Sequence, residues 1–149
     1  RYGRIIRFSL SGHVEVSQRT GRKYARVGKG DRVLRVLPSA GHEYASIATR
    51  GGNALAFPVS EASVLKGAGK GLTGIKLKPD DEVLAYDLVS EPGAGVTVTT
   101  TRGREVTVSP RRYGGTRAGR GKAVMKRGGF QDWAPGLERL DLIFASGEE

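Results

Sequence analysis

Ala45-Ser46-Ile47-Ala48-Thr49-Arg50-Gly51-Gly52-Asn53-Ala54-Leu55-Ala56-Phe57 reads as a strand, a tight Gly-Gly turn and a returning strand. The same pattern is read at Ile5–Val16, with Ser11-Gly12 as its turn, and at Val96–Val108, turning at Arg102-Gly103. In the last copy Val96 and Val98 alternate with Thr97 and Thr99, and Val106 and Val108 bracket Thr107. That period of two belongs to a strand with one buried face. Val14 and Val16 bracket Glu15 in the same way. The first two copies lead through a Gly- and cation-rich loop into a further strand, Tyr24–Leu34 and Gly74–Leu84, with Asp31 and Asp81 in register fifty residues apart.

A unit of roughly 40 to 50 residues with about four strands has the size of a propeller blade. Such a unit is too small to bury its own face, and about three stacked units are the minimum. The chain is therefore expected to be all-β: one propeller-like repeat domain of about three four-stranded blades, near residues 5–44, 45–94 and 95–144, arranged as an open arc. Residues 145–149 form an acidic tail, and Leu137–Phe144 has a spacing that fits a short helix or a closing strand. The 23 glycines among 149 residues argue against long helices, because an interior Gly costs about 1 kcal/mol relative to Ala.

The balance of 25 Lys and Arg against 15 Asp and Glu leaves a net charge of +10. Residues 1–37 carry +8, residues 38–94 carry −2, and residues 102–127 again reach +8. Two basic blocks punctuated by glycine point to a polyanionic partner, with nucleic acid as the first candidate. No apolar run approaches the roughly 20 residues that cross a bilayer, and residues 1–12 have no apolar signal core. The expectation is a cytoplasmic, nucleoid-associated protein with no membrane partner.

The stretch Gly52–Val83 is the most specific. Ala54-Leu55-Ala56-Phe57-Pro58, a cationic Gly loop, Gly74-Ile75-Lys76-Leu77-Lys78 and Asp81-Glu82-Val83 follow one another there. In this it resembles the C-terminal domain of the A subunit of bacterial type IIA topoisomerases, DNA gyrase and topoisomerase IV, over roughly residues 5–130. The resemblance implies a β-pinwheel, a propeller variant whose neighbouring blades exchange strands, with duplex DNA bent around its basic rim. It also implies that the chain is not an enzyme by itself. It would be the non-catalytic part of an ATP-dependent topoisomerase, with the catalytic core and the ATPase subunit as protein partners. Gyrase carries a basic glycine-rich box in its first blade; the nearest match here is Arg111-Arg112-Tyr113-Gly114-Gly115-Thr116-Arg117, which has Tyr inserted and lies in the last repeat.

Bending DNA on such a rim requires no reading of bases. It requires Lys and Arg spaced along phosphates, each neutralised phosphate releasing condensed counterions. The candidates are Arg19, Arg22, Lys23 and Arg26 in the first loop, Lys66, Lys70 and Lys76 in the second, and Arg111, Arg112, Arg117, Arg120 and Lys122 in the third. The alternative is a stand-alone basic β-protein that binds RNA or single strands, using Tyr24, Tyr113 and Trp133 as stacking platforms.

Catalytic and cofactor readings fail on context. There is no Cys, and the two histidines, His13 and His42, are well separated, so neither a thiol nucleophile nor a metal site is expected. Gly69-Lys70-Gly71-Leu72-Thr73-Gly74 matches G-x-G-x-x-G, yet a strand-like segment follows where a dinucleotide site needs a helix N-terminus. No cofactor is expected. Asp80-Asp81-Glu82 is read as capping a turn.

Overall fold

A computed structural model describes residues 1–16 and 20–133. The strands fall into small sheets (Tyr44–Thr49, β3; Asn53–Pro58, β4; Val83–Val89, β7; Val96–Thr100, β8; Glu105–Val108, β9; Phe130–Trp133, β11), and short pairs join them (Arg4–Ile5, β1; Arg7–Phe8, β2; Val64–Leu65, β5; Leu72–Thr73, β6; Lys122–Ala123, β10). The one α-helix among the described residues is the single turn Pro110–Tyr113, α1.

The quoted hairpin is the centre of the fold. β3 and β4 pair antiparallel with Ile47 opposite Leu55, the turn closes through Gly51-Gly52, and β7 pairs on the other side of β3. Gly52 has φ +87°, a conformation that costs glycine little and a β-carbon much. β3 and β4 are buried almost throughout. Alternation sends Ala45, Ile47, Leu55 and Phe57 into a core shared with Ile5 and Ile75, while Ala48 and Ala54 join Ala85 in a second core with Val96, Val98, Val106, Val108 and Phe130. The small residues on that second face let the third repeat approach closely. Ser46 between them is buried but satisfied: its hydroxyl donates to the Val108 carbonyl at 2.7 Å and accepts from the Val96 N–H at 3.1 Å.

Neighbouring repeats exchange strands, and the exchange recurs. β10, from the third repeat, completes the four-stranded sheet β10-β4-β3-β7 by pairing with β4, Lys122 opposite Ala54. β6, from the second repeat, pairs with β1 in the same sense, Leu72 opposite Ile5. A parallel contact accompanies each exchange: Arg7 opposite Val64 in one, Ala56 opposite Gly114 in the other. Gly71 and Gly121 open the exchanged strands with φ +75° and +73°, and a β-carbon on either would stand 2.6 Å from the carbonyl oxygen of Ile5 or Ala54. Only glycine fits there.

These correspondences correct the phase read for the first repeat. Arg4–Phe8 is the counterpart of β4, the second strand of a hairpin, and not of β3. The segment after it is not a strand: Leu10–His13 is a 3-10 turn capped by Ser9, as Val59–Glu61 follows β4 and α1 follows β9. Val14 and Val16 are accordingly exposed rather than alternating into a core. Ile75 and Leu77 lie outside any strand, although burial still alternates with the exposed Lys76 and Lys78. The element read at Leu137–Phe144, the end of the third blade and the tail 145–149 lie outside the described residues.

Candidate nucleic-acid interface

The exchanged arms carry the cations. The backbone N–H of Arg26 donates to the Gly69 carbonyl at 2.9 Å, and that of Lys76 donates to the Gly119 carbonyl at 2.9 Å. Both side chains are exposed, and fifty residues further on stands exposed Lys126. A cation thus recurs at one position of three successive repeats. Lys70 and Arg120 form a second such pair, each next to a left-handed glycine, and Arg22 and Lys122 a third. Lys23, Lys66, Arg111 and Arg112 are also exposed, while Arg19 lies outside the described residues. Among the described residues, none of these side chains lies within 4.0 Å of a carboxylate, which leaves their charge available to phosphate.

Three of the candidates also bind carbonyls. The Arg22 guanidinium donates to the Gly12 carbonyl, and the Lys122 ammonium donates to that of Arg112 at 3.0 Å. Arg117 is the most committed: its Nε donates to the Glu61 carbonyl at 3.0 Å and its Nη1 to the Thr73 carbonyl at 2.9 Å, while its backbone N–H donates to the Glu61 carboxylate at 2.6 Å. Arg117 clamps the third repeat onto the second. Arg111 and Arg112 sit on α1 rather than on a loop, with the Arg112 guanidinium 5.9 Å from the centre of the Tyr113 ring.

Most acids of the middle repeat have structural posts. Asp81 accepts the N–H groups of Gly51 and Glu82, both at 2.8 Å, as Asp31 accepts those of Tyr2 at 3.1 Å and Arg32 at 2.8 Å. The expected turn cap is therefore present in two repeats. Glu82 pairs with Arg50 at 2.8 Å, and Asp87 with Arg35 at 3.6 Å. Glu43 is buried, and burial alone would raise its pKa. The N–H groups of Ala40 and Gly41 and the hydroxyl of Ser39, at 2.7, 3.0 and 2.7 Å, instead hold it down to about 2. These acids are thus spent inward or on turns, while Asp80 and Glu91 stay exposed.

The stacking candidates are occupied. Tyr113 is buried, Tyr24 stacks on Phe8 with ring centres 5.1 Å apart, and Trp133 lies under the Arg35 guanidinium at 5.3 Å. Among the described residues no three His, Asp or Glu side chains converge as a metal site would require. No described helix is long and apolar enough to cross a membrane.

The sequence matches no family model and no curated protein. The fold, however, has solved counterparts. It is similar to the C-terminal domain of DNA topoisomerase IV, with a TM-score of 0.76 and 22% identity, over 90% of this chain and 43% of that one. It is also similar to the E. coli ParC C-terminal domain, with a TM-score of 0.58 and 14% identity, over 72% of this chain and 46% of that one. The chain has the β-pinwheel fold of these domains and spans less than half the length of either.

Proposed function

We propose that this chain is a sequence-nonspecific duplex-DNA-binding and DNA-bending domain of a type IIA topoisomerase A subunit. The observation that carries the reading is the cation that recurs at Arg26, Lys76 and Lys126, delivered in at least two repeats by the same backbone hydrogen bond. A pinwheel turns such recurrence into a row of charges along its rim, and the shared fold with topoisomerase IV domains supports placing DNA there. Smoothly bending a 20 to 30 base-pair site costs on the order of 1 to 6 kcal/mol, which a few phosphate contacts per repeat offset. The domain does no chemistry in this reading. It curves a DNA segment and presents it to a catalytic core, which an ATPase subunit drives, at the nucleoid. The occupied faces of Tyr24, Tyr113 and Trp133 favour duplex over single strands.

Ring closure of a short duplex tests the bending. A fragment near the persistence length of about 150 base pairs should circularise faster under ligase when the domain is bound. Binding with no gain in ring closure contradicts the bending.

A further inference from the structure

Two of the recurring cations meet at each junction between repeats. Arg26 N donates to the carbonyl of Gly69, the residue before Lys70, and Lys76 N donates to that of Gly119, the residue before Arg120, both at 2.9 Å. An isolated parallel bridge, Ala25 opposite Gly69, holds the first junction at the same place. The two cations of a junction therefore come from neighbouring repeats and leave adjacent backbone. The later one stands in a repeated motif, Gly69-Lys70-Gly71 and Gly119-Arg120-Gly121, fifty residues apart. Its glycines fix the cation in place. A β-carbon on Gly69 would meet Leu65 Cδ1 at 2.9 Å and one on Gly119 the Thr116 carbonyl oxygen at 3.1 Å, while Gly71 and Gly121 are left-handed. The G-x-G-x-x-G match, which no dinucleotide site explains, begins with the first of these motifs.

All four cations are exposed, and among the described residues none lies within 4.0 Å of a carboxylate. Lys76 and Arg120 line one hollow of about 840 Å³. Asp81 and Glu82 line it too, but Asp81 accepts the Gly51 N–H and Glu82 pairs with Arg50, both at 2.8 Å. Two like charges set side by side repel, and an anion between them relieves the repulsion. We propose that each junction is one phosphate clamp: Arg26 with Lys70, and Lys76 with Arg120, close from two repeats on a single phosphate of the duplex. The inference rests on the DNA reading above and adds what makes up one contact. Each pair combines one Arg, whose planar fork takes a phosphate through two hydrogen bonds, with one Lys, whose ammonium adds a point charge. Strand exchange assembles the contact, so the unit of DNA binding is the junction and not the blade.

A double-mutant cycle tests this. Lys76→Ala, Arg120→Ala and the double variant are titrated with a short duplex over a salt series. A shared phosphate predicts that the double variant binds within about twofold of the weaker single variant, and that its log–log salt slope is shallower than that of the natural sequence by roughly 0.9. A control from different junctions, Arg26→Ala with Arg120→Ala, should show multiplied losses and a slope change of roughly 1.8. Multiplied losses in the Lys76, Arg120 double variant, with a slope change of roughly 1.8, overturn the clamp and leave the DNA reading standing. No duplex binding by the natural sequence overturns that reading and the clamp with it. Both tethers use main-chain atoms, so the variants keep the junction, and thermal unfolding checks that they do.

Discussion

Arg26 and Lys76 hold one and the same station in successive repeats, each tethered through its backbone N–H to a glycine carbonyl of the next repeat, at 2.9 Å in both cases. The tether fixes the main chain and leaves the cationic side chain in water. Exchange of strands between repeats is thus also what spaces the charges.

Replacing Arg26, Lys76 and Lys126 by Ala should weaken duplex binding without preference for sequence. The slope of log affinity against log salt should become shallower by roughly 0.9 for each position. Stability should stay within about 0.5 kcal/mol of the parent, since all three are exposed. Anisotropy titrations at several salt concentrations, together with thermal unfolding, check both.

Arg117 and Arg120 should separate. Arg117→Ala removes donors to the Glu61 and Thr73 carbonyls and should destabilise the fold by about 1–3 kcal/mol. Arg120→Ala should leave the unfolding midpoint unchanged and lower DNA affinity. Denaturant unfolding and binding isotherms of the two variants, side by side, read the difference.

Gly21, Gly71 and Gly121 have nearly the same φ, +66°, +75° and +73°, yet only the last two face a neighbour's carbonyl. Alanine at Gly21, with nothing within 4 Å of its β-carbon, should cost the left-handed penalty of about 1–2 kcal/mol alone. Alanine at Gly71 or Gly121 should cost clearly more, because the exchanged strand must shift away from Ile5 or Ala54. Melting temperatures of the three variants rank them.

Glu43 should govern part of the acid transition. Its pKa of about 2 in the folded chain lies below the unfolded value of 4.5, so its contribution is complete above that value and is lost as pH falls from 4.5 toward 2. The amount is on the order of 3 kcal/mol. Glu43→Gln should lower stability at neutral pH and flatten the stability profile over that acid range; an unchanged profile would show that the carboxylate is not held as described. Chemical denaturation as a function of pH measures it.

Much of the fold is legible in local pattern, because β3, β4, β8 and β9 alternate or run apolar between glycine turns. The first repeat is not, because Ile5–Phe8 fits either arm of a hairpin and the pattern does not name the strand it pairs with. Its phase is set by long-range bonds such as that from Tyr2 N to Asp31. The fifty-residue register of Asp31 and Asp81 already contains that phase, and carried one repeat further it finds Lys126, which charge clustering passes over. Arg117 shows the opposite limit. Sequence reveals its charge, but not that Glu61 and Thr73 bring their carbonyls to it.

Salt-dependent competition between a 30-base-pair duplex and a single strand of the same length tests the central claim most directly. The account predicts preference for duplex and an affinity that falls steeply and linearly in log–log form as salt rises. Equal competition by the single strand, or duplex binding insensitive to salt, would contradict it.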